Sequence, residues 1–120
     1  MRRPMWALLG AAAAAACATG TFPQTGDPNT FIAAAERSIN DARARGADSL
    51  AAAEMRDAMA KLESARSEIR NRRPDRAELN AREAAAEARY ARALAMRAAA
   101  ERTRNEAQTA LQAISAGGNP

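Results

Sequence analysis

The sequence contains no histidine and a single cysteine, Cys17. Zinc and haem sites therefore lose their usual ligands, and no disulfide can close within the chain. Valine is absent as well, and aromatic residues make up 3% of the 120 positions. With so little bulky apolar surface to bury at roughly 25 cal/mol per Å², stability must rest on helix propensity and on close packing of small side chains. No glycine-rich loop follows a strand, and no segment has the two-residue period of a strand, so a nucleotide-binding loop has nothing to stand on. A strong charge imbalance is also missing. The chain holds 18 basic and 14 acidic side chains, and Arg2 and Arg3 belong to the extreme N-terminus, which leaves 16 against 14 from Cys17 onward, a net of +2. That is too little for nucleic-acid binding, and the arginines interleave with Glu and Asp as in solvated helix faces with i,i+4 pairs. Low Leu, Ile and Phe content would suggest disorder only alongside a large net charge. An all-α, Ala/Glu/Arg-rich single domain is the class that remains.

The first sixteen residues read as a signal peptide. Met1-Arg2-Arg3-Pro4 is a basic start, and the apolar run from Met5 to Ala16 is well short of the roughly 20 residues a bilayer span requires. It ends Ala14-Ala15-Ala16-Cys17, small residues directly before the lone cysteine. This resembles the lipobox at which bacterial lipoprotein precursors are diacylated and cut, with Ala14 where a branched residue is usual. Cys17 is thus the expected lipidation site, and an acylated cysteine has no need of a disulfide partner in an oxidising compartment. Ala18, a residue other than Asp after the cysteine, goes by the same resemblance with sorting to the outer membrane on its periplasmic side. The alternative is ordinary cleavage after Ala16-Cys17-Ala18, which releases a soluble periplasmic protein. Residues 17–29, with Gly20, Pro23, Gly26 and Pro28, form a flexible tether that lets an anchored domain stand clear of the headgroups.

Residues 30–116 carry the helical body, followed by a disordered tail at 117–120. Asp27-Pro28 is an N-cap with proline in the first helical position, opening a helix over about 28–45 with the stripe Ile32, Ala35, Ile39, Ala42. Gly46-Ala47-Asp48 supplies a stop and a new N-cap. The next helix, about 49–72, has the stripe Ala51, Met55, Ala58, Leu62, Ala65, Ile69. Its phase does not continue that of the first, so Gly46 marks a real turn. Arg72-Arg73-Pro74 is the second break, with Asp75 as N-cap and Glu78 completing a capping box. The third helix, about 75–116, bears alanines at heptad spacing: Ala77, Ala81, Ala84, Ala88, Ala91, Ala95, Ala98. Short turns make neighbours antiparallel, giving a helical hairpin or three-helix bundle with a long C-terminal helix. That helix outruns its neighbours by 15 to 20 residues. Its alanine stripe fails at Arg102 and Asn105, and a second apolar stripe then appears in Ala107, Ala110, Leu111 and Ile114, the candidate partner-binding or self-association face.

Several stretches carry a family resemblance: Ala35-Glu36-Arg37-Ser38-Ile39 and Gly46-Ala47-Asp48, Lys61-Leu62 with Ala65, and Asp75-Arg76-Ala77 leading to Glu87-Ala88-Arg89-Tyr90-Ala91. From about Ile32 to Ala100 the chain resembles the bacterial family catalogued as domain of unknown function 4398. Its members are Ala/Glu/Arg-rich helical proteins often made as lipoproteins and sometimes joined to an outer-membrane-protein-A-like peptidoglycan-binding domain. The resemblance implies a helical envelope protein and no particular activity. The chain reaches Pro120 without that second domain or a terminal lysine for a murein linkage, so cell-wall binding is not carried over from the resemblance and a covalent murein link is not expected.

Catalysis is not expected. Glu83 with Glu87, and Glu54 with Asp57, sit at helix-surface spacing beside arginines, which makes them ion-pair partners rather than general acids. No cofactor, metal or small-molecule substrate is implied. The expected role is that of a cell-envelope lipoprotein acting as a structural or protein-interaction scaffold, its partners the membrane through the anchor and either an envelope protein or a second copy. The alternative is a soluble periplasmic module of chaperone-like or binding type.

Overall fold

The computed structural model describes residues 26–118. The expected signal peptide, Cys17, and all but the last residues of the expected tether lie outside the described residues, as do Asn119 and Pro120 of the expected tail. The described residues form an all-α structure of four helices: α1 Pro28–Ala44, α2 Ala47–Leu50, α3 Ala52–Arg70 and α4 Pro74–Gly117.

Asp27 opens α1 as its sequence suggests. The Asp27 Oδ1 accepts a hydrogen bond from the backbone N–H of Asn29 at 3.0 Å, and Pro28 occupies the first turn, where no intrahelical donor is lost. Helix geometry therefore begins inside the expected tether, at Pro28. The helix ends at Ala44 with Arg45 as its cap, and the chain turns at Gly46, whose φ of 78° lies in the left-handed region that glycine enters without steric cost.

Two details of the expected second helix are corrected. Asp48 is not an N-cap; it sits within the single turn α2 and pairs with Arg43 at 3.5 Å. The helix is also broken at Ala51, where φ −145° and ψ 50° separate α2 from α3. Nothing in Leu50-Ala51-Ala52 is a helix breaker. The break comes from packing: Ala47 and Ala51 are both buried, and Leu50 lies against the core beside Leu94.

The α3–α4 turn is a left-handed cap built without glycine. Asn71 is the cap residue, Arg72 has φ 57°, its N–H donates to the Ile69 carbonyl at 3.0 Å, and that of Arg73 donates to the Glu68 carbonyl at 2.8 Å. These are the two bonds of a Schellman motif. The expected capping box at Asp75 does not form. Pro74 is already helical, Arg73 is the cap residue without a side-chain bond, and Glu78 turns instead to Arg82 at 2.6 Å. Proline sets this start, because its ring fixes φ one residue ahead of the acid that would otherwise have capped.

The chain runs up α1, down α3 and up α4. Phe31 meets Arg82 while Arg37 and Asp41 lie level with Arg89 and Arg92, so α1 is parallel to α4. Lys61 reaches Glu83 and Leu50 lies level with Leu94, so α3 is antiparallel to it. Helix α4 is the spine on which both others pack; α1 and α3 touch each other less. The three expected stripes form the core, with Ala35, Ala42, Ala58, Ala65, Ala84, Ala88 and Ala95 fully enclosed. Ile69 and Ala98, at the ends of their stripes, are half-buried. Ala85 is buried although no single heptad line contains it, because a spine contacting two neighbours needs a wider apolar arc than one seam.

Candidate functional site

Helix α4 has 44 residues, about 66 Å at 1.5 Å per residue. Its partners end well short of that. Cover from α1 and α2 stops at the Gly46 turn, level with Leu94 to Ala98, and every residue from Ala99 to Gly118 is exposed. The projection remains helical to Gly117.

All four residues expected to face a partner stand on this projection. Leu111 is 66% and Ile114 68% exposed, and Ala107 and Ala110 are exposed beside them. Three of them belong to a longer line, Met96, Ala100, Thr103, Ala107, Ala110, Ile114, which recurs at alternating four- and three-residue steps, with Leu111 at its border. At about 100° per residue this line lies roughly a quarter to a third of a turn from the buried alanine seam. Sequence reading missed Met96, which is 45% exposed and starts the line one turn below the projection. The signal was present in the spacing, but Met96 falls inside the stretch where the alanine stripe dominates. Beyond Ala98 the buried seam itself continues as Arg102, Asn105 and Thr109, which are polar. The apolar direction of α4 therefore changes where the bundle ends.

Two of the clefts among the described residues lie between α1 and its neighbours. One lies between α1 and α3, has a volume of about 420 Å³, and is lined by Ile39, Met59 and Leu62 beneath a rim of Glu36, Arg43, Glu63 and Arg66. The Arg66–Glu36 ion pair, 2.5 Å, spans it, and Ile39 and Leu62 beneath are almost fully covered. The other lies between α1 and α4 and is lined by Ala34, Arg37, Ser38, Asp41, Arg89 and Arg92.

Several charged groups elsewhere are tied to one another. Lys61 donates to Glu83 at 2.5 Å across α3 and α4, and this hydrogen bond, then the attraction of the Glu83 carboxylate, holds the Lys61 pKa above its ordinary value against a small opposing effect of burial. Glu83 thus serves as the ion-pair partner of Lys61, while Glu87 and Asp57 only add to the same field. Oε2 of Glu68 is buried without a hydrogen bond, but the Arg73 guanidinium stands 3.8 Å away. Among the described residues no three His, Cys, Asp or Glu side chains converge on a point where a metal ion could sit, and no helix is long and apolar enough to cross a membrane.

The family of domain of unknown function DUF4398 matches residues 30–107. The chain belongs to that family. Its matched region takes in the bundle from the first turn of α1 and the first part of the α4 projection, and ends at Ala107, so Ala110, Leu111 and Ile114 lie beyond it. Comparison with curated proteins and with solved structures gives no match.

Proposed function

We propose that this DUF4398 chain is a non-catalytic, lipid-anchored scaffold of the bacterial cell envelope. It is held through Cys17 at the outer membrane, facing the periplasm, and offers the free end of α4 to a protein partner. The observation that carries the reading is the helical projection from Ala99 to Gly117, exposed throughout, with Leu111 and Ile114 on its surface. Isolated helices of this length are marginal in water, and its apolar line has no counterpart among the described residues, so docking onto a protein surface gives both features a purpose. The basic start, short apolar run and small residues ahead of Cys17 support the anchor. The covered α1–α3 cleft, closed by Arg66 and Glu36, favours a scaffold over a module that holds unfolded clients.

Anchoring is tested by Cys17→Ser. The variant is expected to remain uncut or to appear in the soluble periplasmic fraction; recovery in the outer-membrane fraction at the wild-type level contradicts the reading.

A further inference from the structure

The three seams between helices differ in charge. Lys61–Glu83 bridges α3 and α4, and Arg66–Glu36 bridges α3 and α1, both at 2.5 Å. At the seam between α1 and α4, arginines arrive from both helices. Arg37 from α1 and Arg89 and Arg92 from α4 line one cleft of about 250 Å³. Among the described residues none of the three has a carboxylate within ion-pair reach. Asp41 lines the same cleft, so its wall carries three positive charges and one negative.

Among the described residues no ion pair stabilises these three arginines. Arg89 and Arg92 lie three residues apart on one helix face, a spacing at which like charges repel, and Arg37 adds a third from across the seam. Each guanidinium keeps its planar fork of donors free for a ligand. The Ser38 hydroxyl is engaged with its own helix, donating to the Ala34 carbonyl at 3.0 Å, which leaves recognition to the arginines. An anion between them would turn the one repulsive seam into a bridged one.

We propose that this cleft binds a phosphate group, held between α1 and α4 by Arg37, Arg89 and Arg92. A carboxylate offers two coplanar oxygens, a shape that the fork of one guanidinium matches. A tetrahedral phosphate presents acceptors in several directions and carries the greater charge, so it suits three guanidinium side chains that line one cleft from two helices. The lining has no aromatic side chain on which a base would stack, so the ligand is a phosphate or pyrophosphate group rather than a nucleotide. Its source is either a free phosphate or a phosphorylated lipid headgroup. The site is independent of the α4 projection and of Cys17.

The test is titration of the full chain with inorganic phosphate and with pyrophosphate at low salt, with chloride at matched ionic strength as reference, followed by thermal melting and by the arginine Nε–Hε resonances. A ligand that binds only the folded state raises its melting temperature in a saturable way. The expected result is a phosphate-specific rise that Arg89→Gln and Arg37→Gln each weaken at least tenfold in midpoint concentration, while the paired change Arg102→Gln/Arg104→Gln on the projection leaves it unchanged. Arg89→Gln is also expected to melt above the wild type without phosphate, because it relieves repulsion. A wild-type response equal to that of chloride, or an equal loss in the Arg102/Arg104 variant, overturns the proposal. Preference for phosphatidylglycerol over phosphatidylcholine vesicles that depends on Arg89 assigns the lipid headgroup; saturable phosphate binding without that preference assigns the free ion.

Discussion

Gly46 and Arg72 occupy the same left-handed region of backbone space at the two turns of the bundle, with φ of 78° and 57°, and they predict opposite responses to substitution. At Gly46 an added Cβ meets only Leu50, at an ordinary 3.7 Å, so the cost of Gly46→Ala is conformational, about 1 kcal/mol. Arg72→Gly removes that same strain and is expected to stabilise by up to about 1 kcal/mol. Chemical denaturation of the two variants checks both signs. Ala88 is wholly enclosed on α4 whereas Ala86 is exposed. Ala88→Leu overpacks the seam and costs on the order of 1 to 3 kcal/mol, while Ala86→Leu is close to neutral; equal melting of the two would mean the buried face is misassigned. The Lys61–Glu83 pair adds a pH signature. Because the folded-state pKa of Lys61 is raised above 10.5, its small contribution is fully present below that ordinary value and is lost as pH rises through the folded value. A melting series into the alkaline range should show a steeper decline for the wild type than for Lys61→Met.

The helices themselves were legible in the sequence because alanine heptads, Asp27-Pro28, Gly46 and Pro74 are strong local signals. Their finer boundaries were not. The break at Ala51 arises from docking Ala47 and Leu50 against α4, a tertiary demand that leaves no mark on Leu50-Ala51-Ala52. The capping box at Asp75 was a sound local pattern defeated by the proline one residue before it, and Arg72 entered the left-handed region without the glycine that normally announces it. The end of α4 was read well, since a helix with no stop signal must outrun shorter neighbours. At this scale the prediction concerns truncation after Thr103. The residues removed are exposed throughout, so the melting transition of the bundle should shift little while partner capture is lost. A much lower melting temperature would place the segment in the intramolecular core, and undiminished assembly would leave the line through Ala107, Ala110 and Ile114 without a role.

At the scale of the whole molecule, the sequence showed three amphipathic helices but not which pairs face each other across charged rims. The arginine cleft between α1 and α4 depends on their parallel alignment, and a pattern read along one helix carries no information about its neighbour across the seam. What the molecule presents outward is therefore set by assembly: a bundle closed by alanines, one arginine-lined cleft, and a projecting helix. The proposed envelope role rests further on the anchor at Cys17. The most direct measurement is the intact mass of the protein extracted from its native membrane. The account predicts a chain that begins at Cys17 and carries covalent lipid on that residue. A soluble chain that begins at Thr19, without lipid, would contradict it.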